Sequence, residues 1–124
     1  MARYEHLPIL RQISGQVYKK AMDLTIYLEK IVRNFSRYHK YTLGSELREK
    51  SREIVGVLIA ANSKAEKLAL LLELREKLEG LQVLLRISKE VRAFASFTSY
   101  AYAANLTGEL SRQNEGWIKS QPKR

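Results

Sequence analysis

Residues 14–35 read SGQVYKKAMDLTIYLEKIVRNF, and apolar side chains recur in this stretch at alternating steps of four and three. That spacing places them on one face of an α-helix, and most of the charged side chains fall outside it. The apolar row consists of Val17, Ala21, Leu24, Leu28, Ile31 and Phe35. The pattern predicts an amphipathic helix over 14–35, and we interpret residues 7–10 as a separate short turn before it.

A second helix is predicted from Leu43 or Ser45 to Ala61, with Thr42 as its N-cap. Its apolar positions again recur at three- and four-residue steps, which is typical of a helix with one buried face. The row consists of Leu47, Ser51, Ile54, Leu58 and Ala61, of which only Ser51 is polar, and it is flanked by Val55 and Ile59.

The rest of the chain holds two more predicted helices. Ser63 and Glu66 have the spacing of a capping box, in which a hydroxyl and a carboxylate satisfy backbone donors reciprocally. The third helix is therefore expected from Ser63 to about Arg92. The fourth is expected over 96–119, followed by a frayed tail at 120–124.

The four helices predict a single all-α domain over residues 1–124, with segments 1–13 and 120–124 peripheral. Short connections favour antiparallel neighbours, so we expect an up-down-up-down four-helix bundle. The third helix is apolar over an unusually wide arc, because further apolar side chains flank its main leucine row. The row is Leu71, Leu74, Leu78, Leu81 and Leu85, flanked by Leu70, Leu84, Ile87 and Val91. Such an arc favours self-association over crowding within one bundle.

The fourth helix carries a row of mostly small residues. The row is Phe97, Ala101, Ala104, Gly108, Ser111 and Ile118. Small side chains let helix axes approach closely, so we expect this face to pack against a neighbouring helix. Trp117 is expected in the core or in a subunit contact.

The sequence offers no chemistry for catalysis or for a cofactor. It has no cysteine, and its two histidines, His6 and His39, do not have metal-binding spacing. No serine has a base partner, no glycine-rich phosphate loop occurs, and most carboxylates have a basic neighbour three or four residues away. We therefore expect a protein that is not an enzyme and holds no metal. The absence of a signal peptide or a long apolar run predicts a cytoplasmic protein with no membrane partner.

Positive charge is the remaining signal. The chain has 22 Lys and Arg against 13 Asp and Glu, a net charge of +9, and no acid lies between Lys30 and Lys40. Cations beside aromatic rings are typical of surfaces that pair with phosphates and stack on unpaired bases. The predicted nucleic-acid-binding residues are Lys30, Arg33, Arg37, Tyr38 and Lys40 in one cluster, and Arg86, Lys89 and Arg92 in a second.

The same residues also fit roles without nucleic acid. Cations suit the C-terminal ends of helices, where the dipole favours them, although this accounts for only one or two charges. An acidic protein partner fits the same basic surface. Tyr38 and Tyr41 are candidates for stacking on bases, and for Tyr41 packing across the connection is an equal alternative.

Several short segments together resemble one family of small four-helix-bundle proteins. They are LPI (7–9), YKKAMDL (18–24), VRNF (32–35), YHKYTLGSELR (38–48), AANS (60–63), LR (74–75), LLRISKE (84–90) and GW (116–117). The resemblance spans nearly the whole chain, and its most characteristic part is the basic link that ends in Thr-Leu-Gly. The subgroup it resembles most is the accessory variability determinants (Avd) of diversity-generating retroelements.

This resemblance implies a basic, barrel-shaped homopentamer, a ring-like assembly that binds the element's reverse transcriptase and nucleic acid. It would support mutagenic retrohoming, the error-prone synthesis of cDNA from the template RNA and its transfer into a variable gene. A sibling group, encoded by intervening sequences of ribosomal RNA genes, is the alternative, with a structural bundle and no nucleic-acid role. The chain departs from the family pattern at Ser36, where proline is common, and at Glu115, where relatives have glycine.

Overall fold

The structure is a computed structural model that describes residues 8–122. In this part of the chain the sequence forms four long helices and no strand, which confirms the predicted all-α class. The helices are α1 (Pro8–Val32), α2 (Ser45–Asn62), α3 (Leu68–Glu90) and α4 (Phe97–Lys119).

Consecutive helices run antiparallel, as the short connections predict. Between α1 and α2, the Thr25 hydroxyl donates to the Ser51 carbonyl at 3.3 Å, and the Arg48 guanidinium donates to the Glu29 carbonyl at 2.8 Å. As residue numbers rise along α1, the numbers of the α2 residues that they contact fall. The same reversal relates α1 to α4, α2 to α3 and α3 to α4, so α1 and α3 lie on a diagonal of a four-helix bundle. This is the predicted up-down-up-down arrangement.

The core is built mainly from leucine. Five of the six residues in the predicted α1 row are buried, and Ile31 packs against the core at its edge. The side chains with almost no exposed surface include Leu24, Leu28, Leu47, Leu71, Leu74, Leu78, Leu81, Leu85 and Leu110. Trp117 is also buried in this core, one of the two places expected for it.

Helix boundaries differ from the prediction at three points. Helix α1 begins at Pro8, because proline suits the first turn of a helix, and it ends at Val32 rather than at Phe35. No separate turn precedes it over Pro8–Leu10, and Leu7 lies outside the described residues. Thr42 is not an N-cap: it lies inside a helical turn, and its hydroxyl donates to the carbonyls of Tyr38 and His39 at 3.3 Å.

The predicted capping box at Ser63 and Glu66 is wrong. Ser63 is the C-cap of α2, and its hydroxyl donates to the Ala60 carbonyl at 3.0 Å instead of accepting at a helix start. Residues 63–67 form the connection, and α3 begins only at Leu68. The hydroxyl therefore helps to end one helix rather than to begin the next.

The buried face of α4 is displaced by one position from the predicted small-residue row. The buried residues are Ala103, Thr107, Leu110, Asn114 and Trp117. The predicted row is half-buried, except that Phe97 is largely exposed. Two buried polar side chains donate to backbone, since Thr107 donates to the Ala103 carbonyl and the Asn114 Nδ2 to the Leu71 carbonyl, whereas the buried Asn114 Oδ1 accepts no hydrogen bond within residues 8–122. Polar residues thus occupy core positions that a hydrophobicity pattern assigns elsewhere.

Candidate nucleic-acid interface

The two predicted basic clusters lie at the same end of the bundle. Helices α1 and α3 run in the same direction, so the chain leaves both of them at this end. Phe35, just after α1, and Phe94, just after α3, meet edge to face with ring centroids 5.1 Å apart. Both rings are buried and connect the two clusters through the core. We call the surface formed by residues 30–41 and 86–97 the basic end.

The first connection of the basic end is itself helical. One α-helical turn, Arg37–His39, leads into a π-helical turn, Lys40–Gly44, which continues directly into α2. Gly44 is buried, and a Cβ added to it would lie 2.5 Å from Cγ1 of Val32. Only a residue without a side chain lets the π-helical turn approach the end of α1 this closely.

This geometry holds the first cluster in solvent. The side chains of Tyr38 and Tyr41 are 81% and 72% exposed, so packing across the connection does not explain Tyr41. Lys30, Arg33 and Arg37 are exposed and Lys40 is half-buried. Among the described residues none of these four cations forms an ion pair, so their positive charge faces solvent uncompensated.

The second cluster is partly neutralised. Glu90 Oε2 lies 3.0 Å from Lys89 Nζ and 3.4 Å from Arg86 Nε. The hydrogen bond from Lys89, together with the charges of Lys89 and Arg86, lowers the pKa of Glu90 below its ordinary value. Glu90 therefore stays ionised at neutral pH and offsets part of the charge of its neighbours. Arg92 is exposed and forms no ion pair within residues 8–122.

Aromatic residues at the start of α4 were missed as candidates in the sequence. Phe97 is 69% exposed, and its ring centroid lies 5.7 Å from that of Tyr100. The Lys89 ammonium lies 5.2 Å from the centroid of the same Tyr100 ring. A shallow groove of about 480 Å³ is bounded by Lys89, Arg92, Phe94, Ala95, Ser96 and Phe97. The helical pattern assigned Phe97 to the packed face of α4 together with the small residues, and this assignment hid its exposure.

A comparison with known families identifies the family of this basic bundle. The family model for bAvd-like proteins matches residues 16–121, nearly the whole chain. The chain belongs to the bAvd-like family. The match confirms the resemblance to the Avd proteins that the sequence segments indicate. No curated protein matches the chain.

Nothing in the described part of this bAvd-like chain forms a metal centre. Within residues 8–122 no group of three or more His, Cys, Asp and Glu side chains comes together in a way that could hold a metal ion. No helix in the same part of the chain is long and apolar enough to cross a membrane. The chemistry available to the bAvd-like chain at its basic end is ion pairing and stacking.

Proposed function

We propose that the chain is a non-enzymatic accessory protein of a diversity-generating retroelement. It binds the element's reverse transcriptase and holds template RNA or cDNA during mutagenic retrohoming, so that polymerase chemistry belongs to the partner. Membership of the bAvd-like family supports the accessory role. The family resemblance further supports a cytoplasmic homopentamer, and the partly exposed apolar arc of α3, with Ile87 and Val91, is consistent with contact between copies.

One observation carries the nucleic-acid part of the proposal. The four cations of residues 30–40 project from the end of the bundle with no ion pair in the described chain, beside two exposed tyrosines. An uncompensated cation can release counterions from a phosphate backbone, which is the main source of non-specific affinity for nucleic acid. We assign phosphate contact first to Arg33, Arg37 and Lys40, and second to the cluster of Arg86, Lys89 and Arg92.

The test is fluorescence anisotropy of the full chain with labelled RNA and an RNA/DNA hybrid, from low to physiological salt. The combined variant Arg33→Gln, Arg37→Gln and Lys40→Gln is expected to weaken binding roughly 100-fold at low salt, across sequences. It should also flatten the slope of log K against log salt by about 2, since each single-strand phosphate contact contributes about 0.7.

A matched control removes the same charge from the other end of the bundle. Lys64→Gln, Arg112→Gln and Lys119→Gln lower the net charge equally but lie far from the basic end, and none of these three cations forms an ion pair among the described residues. This variant should bind almost as the wild type does. Equal losses in both variants would mean that only total charge matters, and the site assignment would be wrong.

The partner is tested separately by pull-down of the retroelement's reverse transcriptase with the wild-type protein. The mass of the wild-type assembly in solution is measured on the same preparation. Association without nucleic acid supports the accessory role directly. If the wild type binds neither the reverse transcriptase nor nucleic acid at low salt, the structural bundle of the ribosomal-RNA intervening-sequence type becomes the better interpretation.

A further inference from the structure

Phe97 is the exposed member of the three phenylalanines in the chain. Phe35 and Phe94 are buried, whereas Phe97 leaves more than two thirds of its surface in solvent at the first position of α4. A ring left mostly in solvent gains little stability from burial, and its surface is available for a flat ligand to stack on.

The ring is held in place from below. Its centroid is 5.7 Å from Tyr100, whose centroid is 5.8 Å from Phe94, which in turn contacts Phe35 in the core. This series of ring contacts joins the surface ring to the core and restricts its motion on the side of Tyr100. A flat ligand that stacks on a restricted ring costs the protein less conformational entropy than one that stacks on a free ring.

Two cations stand beside the ring. Lys89 and Arg92 bound the same 480 Å³ groove as Phe97, and Lys89 is positioned over the face of Tyr100. An apolar peptide needs no cations in its groove, and an isolated anion needs no aromatic surface. A nucleotide presents both a flat base and a charged phosphate, and therefore fits the combination.

The backbone at Arg92 supports a role for that side chain. Arg92 has φ of 60°, the only non-glycine residue with positive φ in the described chain. Its amide donates to the Lys89 carbonyl at 3.0 Å, and the Ala93 amide donates to the Ser88 carbonyl at 2.8 Å. This pair of bonds forms a Schellman motif, where glycine is usual because it lacks a Cβ. An arginine there keeps a cation on the rim of the groove at a conformational cost.

We propose that this groove holds one unpaired nucleotide of a single strand, with its base stacked on Phe97 and its phosphate paired with Arg92 and Lys89. The proposal rests on the proposed function and adds to it a preference for single-stranded over duplex nucleic acid. Bases inside a duplex already stack on each other and cannot cover the ring, whereas unpaired bases can.

The experiment compares wild type with Phe97→Ala and Phe97→Trp, using labelled oligo(U), oligo(dT), an abasic strand of equal length and a blunt duplex. Phe97→Ala should weaken binding to oligo(U) and oligo(dT) roughly 5- to 100-fold, the range for loss of one stacked base. It should leave the abasic strand and the duplex within about twofold, because only phosphate contacts act there. Phe97→Trp should retain binding. The two oligonucleotides show whether RNA or DNA is preferred.

Tyr102→Ala serves as the control and should bind as the wild type does, since Tyr102 is an exposed aromatic residue on the same helix whose ring contacts Tyr27, with centroids 4.5 Å apart, instead of bounding the groove. If all four strands still bind Phe97→Ala as they bind wild type, the groove proposal is wrong, while the proposed function stands. If light scattering shows that Phe97→Ala changes the mass of the assembly, Phe97 is a subunit contact, and the groove proposal is wrong for that reason. Absence of nucleic-acid binding by the wild type would overturn the groove proposal together with the nucleic-acid part of the proposed function, and the pull-down would then decide the accessory role separately.

Discussion

Ion pairs between neighbouring helices lie on the sides of the bundle, whereas the cations of residues 30–40 at the basic end form no ion pair among the described residues. On the sides, Lys77 lies 3.0 Å from Glu53 and 3.9 Å from Glu73, and the Arg75 guanidinium donates two hydrogen bonds of 2.8 Å to Glu115. Glu29 likewise pairs with both Arg48 and Arg52. At the basic end, residues 30–40 contain cations and no acid.

The contrast explains how a net charge of +9 is arranged. Four of the acids, Glu29, Glu53, Glu109 and Glu115, pair between helices, where exposed pairs add little stability each but match the antiparallel neighbours. No described acid pairs with the cations of residues 30–40, so part of the surplus of cations is concentrated where α1 and α3 end. A concentrated charge gives a stronger local field for an anionic partner than the same charge spread evenly over the surface.

The largest expected effect is on the free energy of unfolding, and it concerns the close packing of Gly44 against Val32 at the basic end. Gly44→Ala should lower the free energy of unfolding by about 1–3 kcal/mol, because its Cβ would overlap Val32 in a filled core. The backbone itself is no obstacle, since Gly44 has helical φ and ψ of −60° and −45°. Urea denaturation of purified protein measures the change.

Gly56→Ala is the matched control on the side of α2. A Cβ there meets nothing within 4 Å, so alanine should raise the free energy of unfolding by up to about 1 kcal/mol through helix propensity. The two variants are thus expected to differ in sign. Equal stability of Gly44→Ala and wild type would show that the π-helical turn does not rely on the glycine.

The next effect separates stability from binding at Arg92. Arg92→Gly relieves the left-handed conformation and should raise the free energy of unfolding by up to about 1 kcal/mol, less the entropy that glycine adds to the unfolded chain. The same variant removes a cation of the groove and should weaken single-strand binding. Thermal denaturation and anisotropy on one preparation measure both. A fall in stability would contradict the strain, and unchanged binding would contradict the phosphate contact.

Most of the fold was predictable because helical periodicity is a local property of the sequence. The apolar row of α1 and the start of α4 near Ser96 could be inferred from adjacent residues, and the structure shows the Ser96 hydroxyl accepting from the Ser99 amide at that start. Ser63 could not, since a serine between two helices satisfies either a preceding carbonyl or a following amide, and tertiary packing decides which.

The phase of α4 could not be predicted for a related reason. Shifting a row by one position turns the face by about 100°, and the small residues at 101, 104, 108 and 111 form a regular row. The true face contains Thr107 and Asn114, which are acceptable in the core only because backbone carbonyls of α4 and α3 accept their hydrogen bonds. The exposure of Phe97 followed from the same error, so sequence reasoning found the cations of the site but missed its exposed ring.

A smaller effect concerns Glu90, which forms ion pairs with Arg86 and Lys89 in the second cluster. Glu90→Gln frees Lys89 and Arg86 from their ion pairs and should tighten nucleic-acid binding. Each additional phosphate that these cations neutralise steepens the salt slope by about 0.7–0.9. Anisotropy over a salt series measures this change. Weaker binding would mean that Glu90 positions Lys89 for the ligand instead of neutralising it.

The smallest expected effect belongs to the sides and appears on acidification. The Arg75 hydrogen bonds lower the pKa of Glu115 below its ordinary value of 4.5. A lowered carboxyl pKa stabilises the fold above the unfolded pKa, and this contribution is lost as the pH falls through the folded pKa. Stability of the wild type should therefore fall between about pH 6 and pH 3, and Glu115→Gln should fall slightly less, as measured by urea denaturation at each pH.

Glu76→Gln is the control for this last comparison, because Glu76 is an exposed glutamate of α3 without an ion pair among the described residues. It removes the same charge but no partner, so its acid slope should stay close to that of the wild type. The pair of Glu53 with Lys77 remains in both variants and keeps part of the slope, since the pKa of Glu53 is also lowered. Equal slopes for Glu115→Gln and Glu76→Gln would mean that the bidentate pair contributes nothing, and that pairing on the sides serves only to leave the surplus charge at the basic end.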